Sequence, residues 1–256
     1  MPSSSHRPRK RFGQHFLHDP RVLEKIIDAL SLQPSDRVVE IGPGEGALTH
    51  LLLKQTCNVE AIEIDRDLAA WLRQQGVKVR EGDALEFDYS AFPRGVRIVG
   101  NLPYNISTPL LFHLARFAER VRDMHFMLQL EVVERMVAKP STAEYGRLSV
   151  ALQARFRMKK LFNVSKGAFR PPPKVESAVV RMEPLEEPPA LENTRFDDLL
   201  RGAFSSRRKQ LRNALPLAAA DFATLGIDPR ARPENLSPAD YVRIAQHLGS
   251  GESSSR

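Results

Sequence analysis

The sequence predicts an α/β protein: an open, doubly wound, mostly parallel sheet followed by a small all-helical C-terminal region. Three observations carry this. Short apolar runs alternate with helical periodicity as far as Glu183, the pattern of successive βαβ units. A glycine-rich turn, GPGEG (42–46), follows directly on the first strand of that pattern. After a Pro/Glu-rich run, EPLEEPPALE (183–192), only helical periodicity remains.

Each element has its own local reason. HDPRVLEKIIDAL reads as a helix with Asp19 as N-cap and Pro20 at the first helical position. RVVEI (37–41) is a short apolar strand, and the glycine turn leads from it into a helix along ALTHLLLK. VEAIEID (59–65) is the next strand, RDLAAWLRQQ the next helix, and KVREGD (78–83) a third strand ending in an acid. VRIVG (96–100) is a fourth strand and runs into GNLPYNIST, after which a helix opens with Pro109 at its first position. DMHFMLQLE (123–131) reads as a long buried strand, then EVVERMVAK and RLSVALQARF as helices. KLFNVS (160–165) and SAVVRM (177–182) are late strands, close enough together to form an antiparallel edge. Beyond the Pro/Glu run, FDDLLRGAFSSRRKQLRNAL, ADFATLGI and SPADYVRIAQHL are helical, the last with Ser237 as N-cap and Pro238 behind it. The tail GSGESSSR is expected to be disordered.

Composition bounds the function classes. The chain has 256 residues, enough for one or two domains with a sizeable core. No apolar run approaches the roughly 18 residues of a membrane-spanning helix, so no membrane partner is expected. MPSSSHRPRKRF is basic but lacks the apolar segment of a secretory signal, which makes it a basic arm. The single cysteine, Cys57, forms no internal disulfide and fits a reducing cytoplasm. Lying in a strand-like run, it reads as a small buried apolar residue. The net charge of +7 is uneven: residues 26–100 hold eight Lys/Arg against twelve acids, and residues 101–183 fourteen against seven. An acidic half thus precedes a basic stretch that begins at GNLPY, a field that favours polyanions such as nucleic acid.

The strand ends carry the chemistry, because ligands of open α/β sheets bind there. Gly42 and Gly44 let the backbone turn tightly and approach a ligand. Glu63 closes the second strand, where an acid accepts ribose hydroxyls. Asp83 closes the third, where a carboxylate can accept from an adenine amino group. Together they describe a site for an adenosine cofactor. A dinucleotide fingerprint needs G-x-G-x-x-G, and here the third glycine falls one residue early. Glu40, just before the turn, would repel a pyrophosphate but suits a cation. S-adenosylmethionine, with a sulfonium, an ammonium and no phosphate, fits that charge pattern, and the fold expected is a Rossmann-like class I methyltransferase sheet.

GNLPY then reads as a target loop. The exocyclic nitrogen of adenine is a poor nucleophile, because its lone pair is delocalised into the ring. Acceptors on its two N–H groups favour a pyramidal nitrogen, and Asn101 Oδ1 and the Leu102 carbonyl are suitable acceptors. Pro103 stiffens the turn and Tyr104 offers a face for base stacking. No group with a shifted pKa is needed, since positioning and electrostatics carry the step. A paired base could not reach such a slot, so a single-stranded, looped or flipped-out substrate is expected.

At these residues the sequence resembles the ribosomal RNA adenine N6-dimethyltransferases of the KsgA/Erm type, above all the small-subunit (KsgA, RsmA) branch. The resemblance is carried by KRFGQHFLHD, VVEIGPGEGALT, IEIDRDL, EGDAL, GNLPYNISTPLLFHL, YGRLSV and AFRPPPKVESAVV, which span most of residues 10–182. It implies transfer of two methyls from S-adenosylmethionine to each of two adjacent adenines in a loop near the 3′ end of 16S rRNA. A role in small-subunit biogenesis, a monomer, and a helical C-terminal domain that docks on the subunit go with it. Carried over residue by residue, the family's cofactor contacts fall on His15, Leu17, Gly42, Glu63, Asp83 and Asn101. Its catalytic loop falls on Asn101, Leu102, Pro103 and Tyr104, with Phe169 as a second aromatic near the target base. Where the family often has QNFL this chain has QHFL, so His15 replaces an amide. The domains expected are an arm over 1–18, a methyltransferase domain over 19–183, a linker over 184–192, a helical domain over 193–249 and a disordered tail over 250–256.

The basic residues sort into three candidate RNA contacts: Arg9, Lys10 and Arg11 in the arm; Arg170 and Lys174 in SKGAFRPPPK; and Arg207, Arg208, Lys209 and Arg212 in SSRRKQLRN, with Arg208 and Arg212 one helical turn apart. Phe156 and Phe162 read as core, whereas the proline-rich surroundings of Phe169 favour exposure. Three alternatives stay open on the residues alone. A DNA adenine methyltransferase would use the same Asn-Pro-Tyr logic, a ribosome assembly factor could methylate only secondarily, and a dinucleotide-dependent dehydrogenase lacks its fingerprint here.

Overall fold

The structure is a computed structural model and describes residues 14–191, 195–205 and 209–253. β1 (Phe16–Leu17) leads into α1 (Pro20–Leu30), β2 (Val38–Ile41), α2 (Ala47–Gln55), β3 (Val59–Glu63), α3 (Arg66–Gln74) and β4 (Lys78–Glu81). β5 (Val96–Asn101), α4 (Ser107–Ala115), β6 (Val121–Gln129), α5 (Leu130–Val137) and α6 (Arg147–Gln153) follow. Then come β7 (Phe156–Val164), β8 (Phe169–Arg170), β9 (Ser177–Pro184), α7 (Phe196–Phe204), α8 (Leu211–Ala214), α9 (Ala219–Leu225) and α10 (Pro238–Ser253). The chain divides into two compact units. One holds the residues up to Val133 with Met158–Pro184, the other Glu134–Arg157 with the residues from Leu185 onward.

In the first unit seven strands lie in the order β4-β3-β2-β5-β6-β9-β7. β4, β3, β2, β5 and β6 are mutually parallel. β9 returns antiparallel to β6, with Gln129 opposite Ser177. The chain winds outward from β2 to β4 and then restarts at β5 on the other side of β2. The crevice between the C-terminal ends of β2 and β5 is therefore the switch point of the sheet. β2 and the first five residues of β5 are buried throughout, as their continuous runs require. α1 and α2 bury Leu23, Ile26, Leu30, Leu48 and Leu52 with Val38, Val99, Met127 and Val179 of the strands. At the opposite end of the sheet from the crevice, buried Arg97 donates to both carboxylate oxygens of Asp123 (2.9 and 2.7 Å), to Asp36 (2.9 Å) and to the Leu30 carbonyl (2.6 Å). Burial raises the Asp36 pKa, but the Gln33 N–H and the Arg97 guanidinium outweigh it and hold the carboxyl below its usual value.

The second unit has its own core. α6, α7 and α10 pack together, the Tyr145 hydroxyl donates to the Leu236 carbonyl at 2.8 Å, and the Arg155 guanidinium sits 5.1 Å over the Phe196 ring. Ser237 and Asp240 cap α10 reciprocally, the Ser237 N–H donating to Asp240 at 2.9 Å and the Asp240 N–H to Ser237 Oγ at 3.2 Å.

Several expectations need correcting. Glu134–Arg157, assigned from the sequence to the methyltransferase domain, groups with the C-terminal helices, because its contacts are made 91 residues downstream, as between Tyr145 and Leu236. FDDLLRGAFSSRRKQLRNAL is not one helix: α7 ends at Phe204 and Gln210 is extended ahead of α8. α4 begins at Ser107, so Pro109 occupies its third position, where the first turn still lacks a backbone acceptor for the missing N–H. α10 continues to Ser253, past the stop expected at Gly249, by propagation of an already formed helix. Cys57 is exposed, because β3 starts two residues later and Thr56 takes the buried place, donating its hydroxyl to the Pro34 and Asp36 carbonyls.

Candidate active site

The turn after β2 shows why three glycines stand in it. Gly42, Gly44 and Gly46 all have positive φ (67°, 56° and 76°). At Gly44 a Cβ would also lie 2.8 Å from the Phe16 ring, so β1 closes over the turn only because no side chain is there. Between the strands, a Cβ on Gly100 would meet the Ile41 carbonyl at 2.6 Å, which makes glycine obligatory just before Asn101.

Around this turn lies a cavity of about 350 Å³. Its lining includes His15, Leu17, Gly42, Gly44, Glu63, Asp83, Asn101, Leu102, Pro103 and Tyr104, so all the expected cofactor and catalytic residues but Phe169 meet in one place. Glu63 accepts from the Gly44 N–H at 3.3 Å and the Asp65 N–H at 2.8 Å, and each oxygen keeps a lone pair for a ligand. Burial raises its pKa, against those two backbone bonds. Asp83 caps its own turn through the Leu85 N–H at 2.9 Å. Glu40, 2% exposed, accepts from the Thr49 hydroxyl at 2.6 Å. Burial, with the Glu63 charge, lifts its pKa to about 7.

Among the described residues the lining carries four carboxyl groups, from Glu40, Glu45, Glu63 and Asp83, and no lysine or arginine. A pyrophosphate would be repelled here and a sulfonium cation attracted. The donor set thus fits S-adenosylmethionine and not a dinucleotide.

The target loop is tied to β1. The Asn101 side-chain nitrogen donates to the His15 carbonyl at 2.7 Å, which leaves Oδ1 as the acceptor of that amide. His15 Nδ1–H donates to the Pro171 carbonyl at 2.8 Å. The Tyr104 hydroxyl bonds to Ser177 Oγ, and burial raises its pKa despite that bond.

The family model for ribosomal RNA adenine dimethylase matches residues 5–249. The chain belongs to the ribosomal RNA adenine dimethylase family. It is 55% identical over 253 residues to the ribosomal RNA small subunit methyltransferase A of Aromatoleum aromaticum, covering 96% of each chain. It is 54% identical to the protein of the same name from Nitrosospira multiformis, covering 95% of this chain and 97% of that one. Among solved structures, a dimethyladenosine transferase from Plasmodium falciparum matches with TM-score 0.80 and 28% identity over 93% of this chain and 98% of its own. The 23S rRNA methyltransferase ErmE matches with TM-score 0.67 and 27% identity over 91% and 99%.

As a dimethylase, the protein uses S-adenosylmethionine, and the fold is that of the class I methyltransferases. One residue of the expected set stands elsewhere. Phe169 does not line the cavity; it is 2% exposed in the core under α1. The proline-rich surroundings do not expose it, because β8 pairs antiparallel with β1, Leu17 opposite Phe169, and turns its ring inward. Arg170, Lys174, Lys209 and Arg212 are exposed, but Arg212 lies in α8 after the break at Gln210, so it does not continue a helix from 208. Arg9, Lys10, Arg11, Arg207 and Arg208 fall outside the described residues.

Among the lining residues that the sequence did not single out are Gln14, Ile64 and His125. Gln14 Nε2 donates to Asp65 at 3.5 Å. Ile64, 42% exposed beside Glu63, offers an apolar surface; its position directly after the ribose acid was the available signal. His125, on β6 opposite Val99, is 1% exposed and neither ring nitrogen has a hydrogen-bond partner among the described residues. Burial lowers its pKa to about 4, so its ring is neutral at physiological pH. Nothing in its local sequence marks it.

Proposed function

We propose that this protein transfers methyl groups from S-adenosylmethionine to N6 of two adjacent adenines in a loop near the 3′ end of small-subunit (16S) rRNA, forming N6,N6-dimethyladenosine as part of subunit biogenesis. The observation that carries the reading is the convergence, at one switch point, of an acidic cavity with the Asn101–Tyr104 loop. The bound cofactor supplies an electrophilic methyl on a sulfonium. Glu63 accepts from the ribose hydroxyls, Asp83 from the adenine amino group, and Glu40 balances positive charge. Gly42 and Gly44 bring main chain close to the ligand, and Leu17 and His15 close it from the β1 side. At the target, Asn101 Oδ1 and the Leu102 carbonyl accept from the N6 hydrogens and aim the nitrogen lone pair, while Tyr104 takes the face of the base. The exposed Arg170, Lys174, Lys209 and Arg212 hold rRNA phosphates, and the helical unit docks on the subunit. The protein acts as a monomer in the cytoplasm; among the described residues no helix is long and apolar enough to cross a membrane.

The test is methyl transfer from labelled S-adenosylmethionine to unmethylated small subunits, with large subunits, bare rRNA and DNA in parallel. N6,N6-dimethyladenosine on small subunits, lost by about 100-fold or more in Asn101→Ala, is the expected result. Label on large subunits or DNA would redirect the reading. Subunit binding without any transfer would favour an assembly factor.

A further inference from the structure

Tyr104 is held from two sides. Its hydroxyl shares a 2.6 Å hydrogen bond with Ser177 Oγ, and the His15 ring lies 5.5 Å from its ring, centroid to centroid, with the planes 29° apart. Both holders are themselves fixed. Ser177 is fully buried and sits in register with Gln129 across β6 and β9. His15 is anchored through its ring to the Pro171 carbonyl and through its own carbonyl to the Asn101 side chain. Pro171 and Ser177 bracket the PPPKVES stretch, so a segment 73 residues downstream of the target loop braces it at the far end of the tyrosine.

We propose that Ser177 and His15 are positioning residues for the Tyr104 ring: Ser177 pins its hydroxyl, His15 backs one face, and the target base is received on the opposite face alone. This rests on the reading of Tyr104 as the stacking surface. An unpinned phenol turns about two side-chain torsions, and that freedom must be lost when a base stacks on it. A hydrogen bond at its outer end removes the freedom before the substrate arrives, which favours a near-attack arrangement. The backing ring matters separately. A tyrosine open on both faces would accept the base in two places, and only one can bring N6 to Asn101.

The experiment compares Ser177→Ala, Tyr104→Phe and the double variant, with Tyr104→Ala as reference. It measures single-turnover methyl transfer to small subunits, KM for the subunit and Kd for S-adenosylmethionine. Each single variant is expected to slow transfer about three- to tenfold, the worth of one hydrogen bond, with cofactor Kd and subunit KM unchanged. The double variant should be no slower than the slower single, because both remove the same bond. Losses that multiply in the double variant, or a wild-type rate in either single, would overturn the role of Ser177. His15→Phe keeps a flat ring and should retain more transfer than His15→Ala; equal rates would overturn the backing. If Tyr104→Ala itself transfers at the wild-type rate, the stacking reading falls. If Tyr104→Ala is slow while Tyr104→Phe and Ser177→Ala are not, stacking stands and the pinning alone is refuted.

Discussion

Replacing Glu40 with glutamine should stabilise the ligand-free protein and weaken its grip on the cofactor, and both effects should depend on pH. Glu40 is buried, and its Oε2 accepts from Thr49. Burial, together with the charge of Glu63, moves its pKa from 4.5 to about 7 against the pull of that bond. Between these values the native state keeps a proton that the unfolded chain has lost. Stability from this group is therefore complete below 4.5 and is lost as pH rises through about 7. The interval corresponds to about 3 kcal/mol of destabilisation in alkaline solution. Glutamine carries no charge and still offers an oxygen to Thr49. Denaturant unfolding should thus show Glu40→Gln near wild type at pH 4.5 and more stable by about 3 kcal/mol at pH 8.5. Binding should run the other way. A cationic ligand prefers the ionised acid, whose population rises from about 10% at pH 6 to about 90% at pH 8. Wild-type Kd for S-adenosylmethionine, measured by calorimetry, should tighten about tenfold over that range, and the variant should bind weakly and without pH dependence. A stability difference that does not change with pH, or a flat wild-type affinity, would refute the assignment of a buried carboxylate kept for a cation.

Other perturbations follow from the same geometry. Gly44→Ala combines positive φ with a Cβ against the Phe16 ring; it should lower stability by at least about 1 kcal/mol and weaken cofactor binding, both measurable by thermal unfolding with and without ligand. Arg97→Met takes from buried Asp123 its two guanidinium bonds and from Asp36 one of two, the other being that of Arg122, and should cost about 3–5 kcal/mol in denaturant unfolding. The Asp36 pKa is depressed in the folded state, so its contribution is present above the unfolded pKa and lost as pH falls through the folded one. Without Arg97 part of that depression is gone, so the stability deficit of Arg97→Met against wild type, read by circular dichroism in denaturant, should narrow as pH falls.

Much of this molecule is written in short stretches of sequence. The alternation of strands and helices, the Asp19–Pro20 start of α1 and the glycine turn after β2 all depend on neighbours within a few residues. The place of Glu63 and Asp83 in the cavity lining was legible for the same reason, since a strand's end can be located from its own apolar run. What was not legible depends on partners far along the chain. The two-residue strands β1 and β8 are too short to show periodicity, yet their pairing buries Phe169 and closes the cavity. The grouping of Glu134–Arg157 with the C-terminal helices rests on bonds such as that of Tyr145 to Leu236. His125 sits in an apolar strand like any core residue, and only the assembled sheet, with β6 beside β5, brings it to the cavity.

By itself, then, the sequence determined the order of elements, the switch point and the acids and amide that stand there, because local steric and hydrogen-bonding rules act within a turn or a strand. The tertiary structure alone decided which side chains lose water and which find partners: the raised pKa of Glu40, the inward ring of Phe169, and the clamp of His15 and Ser177 on Tyr104. Burial and long-range pairing are properties of the assembled sheet, and no local pattern in the chain carries them.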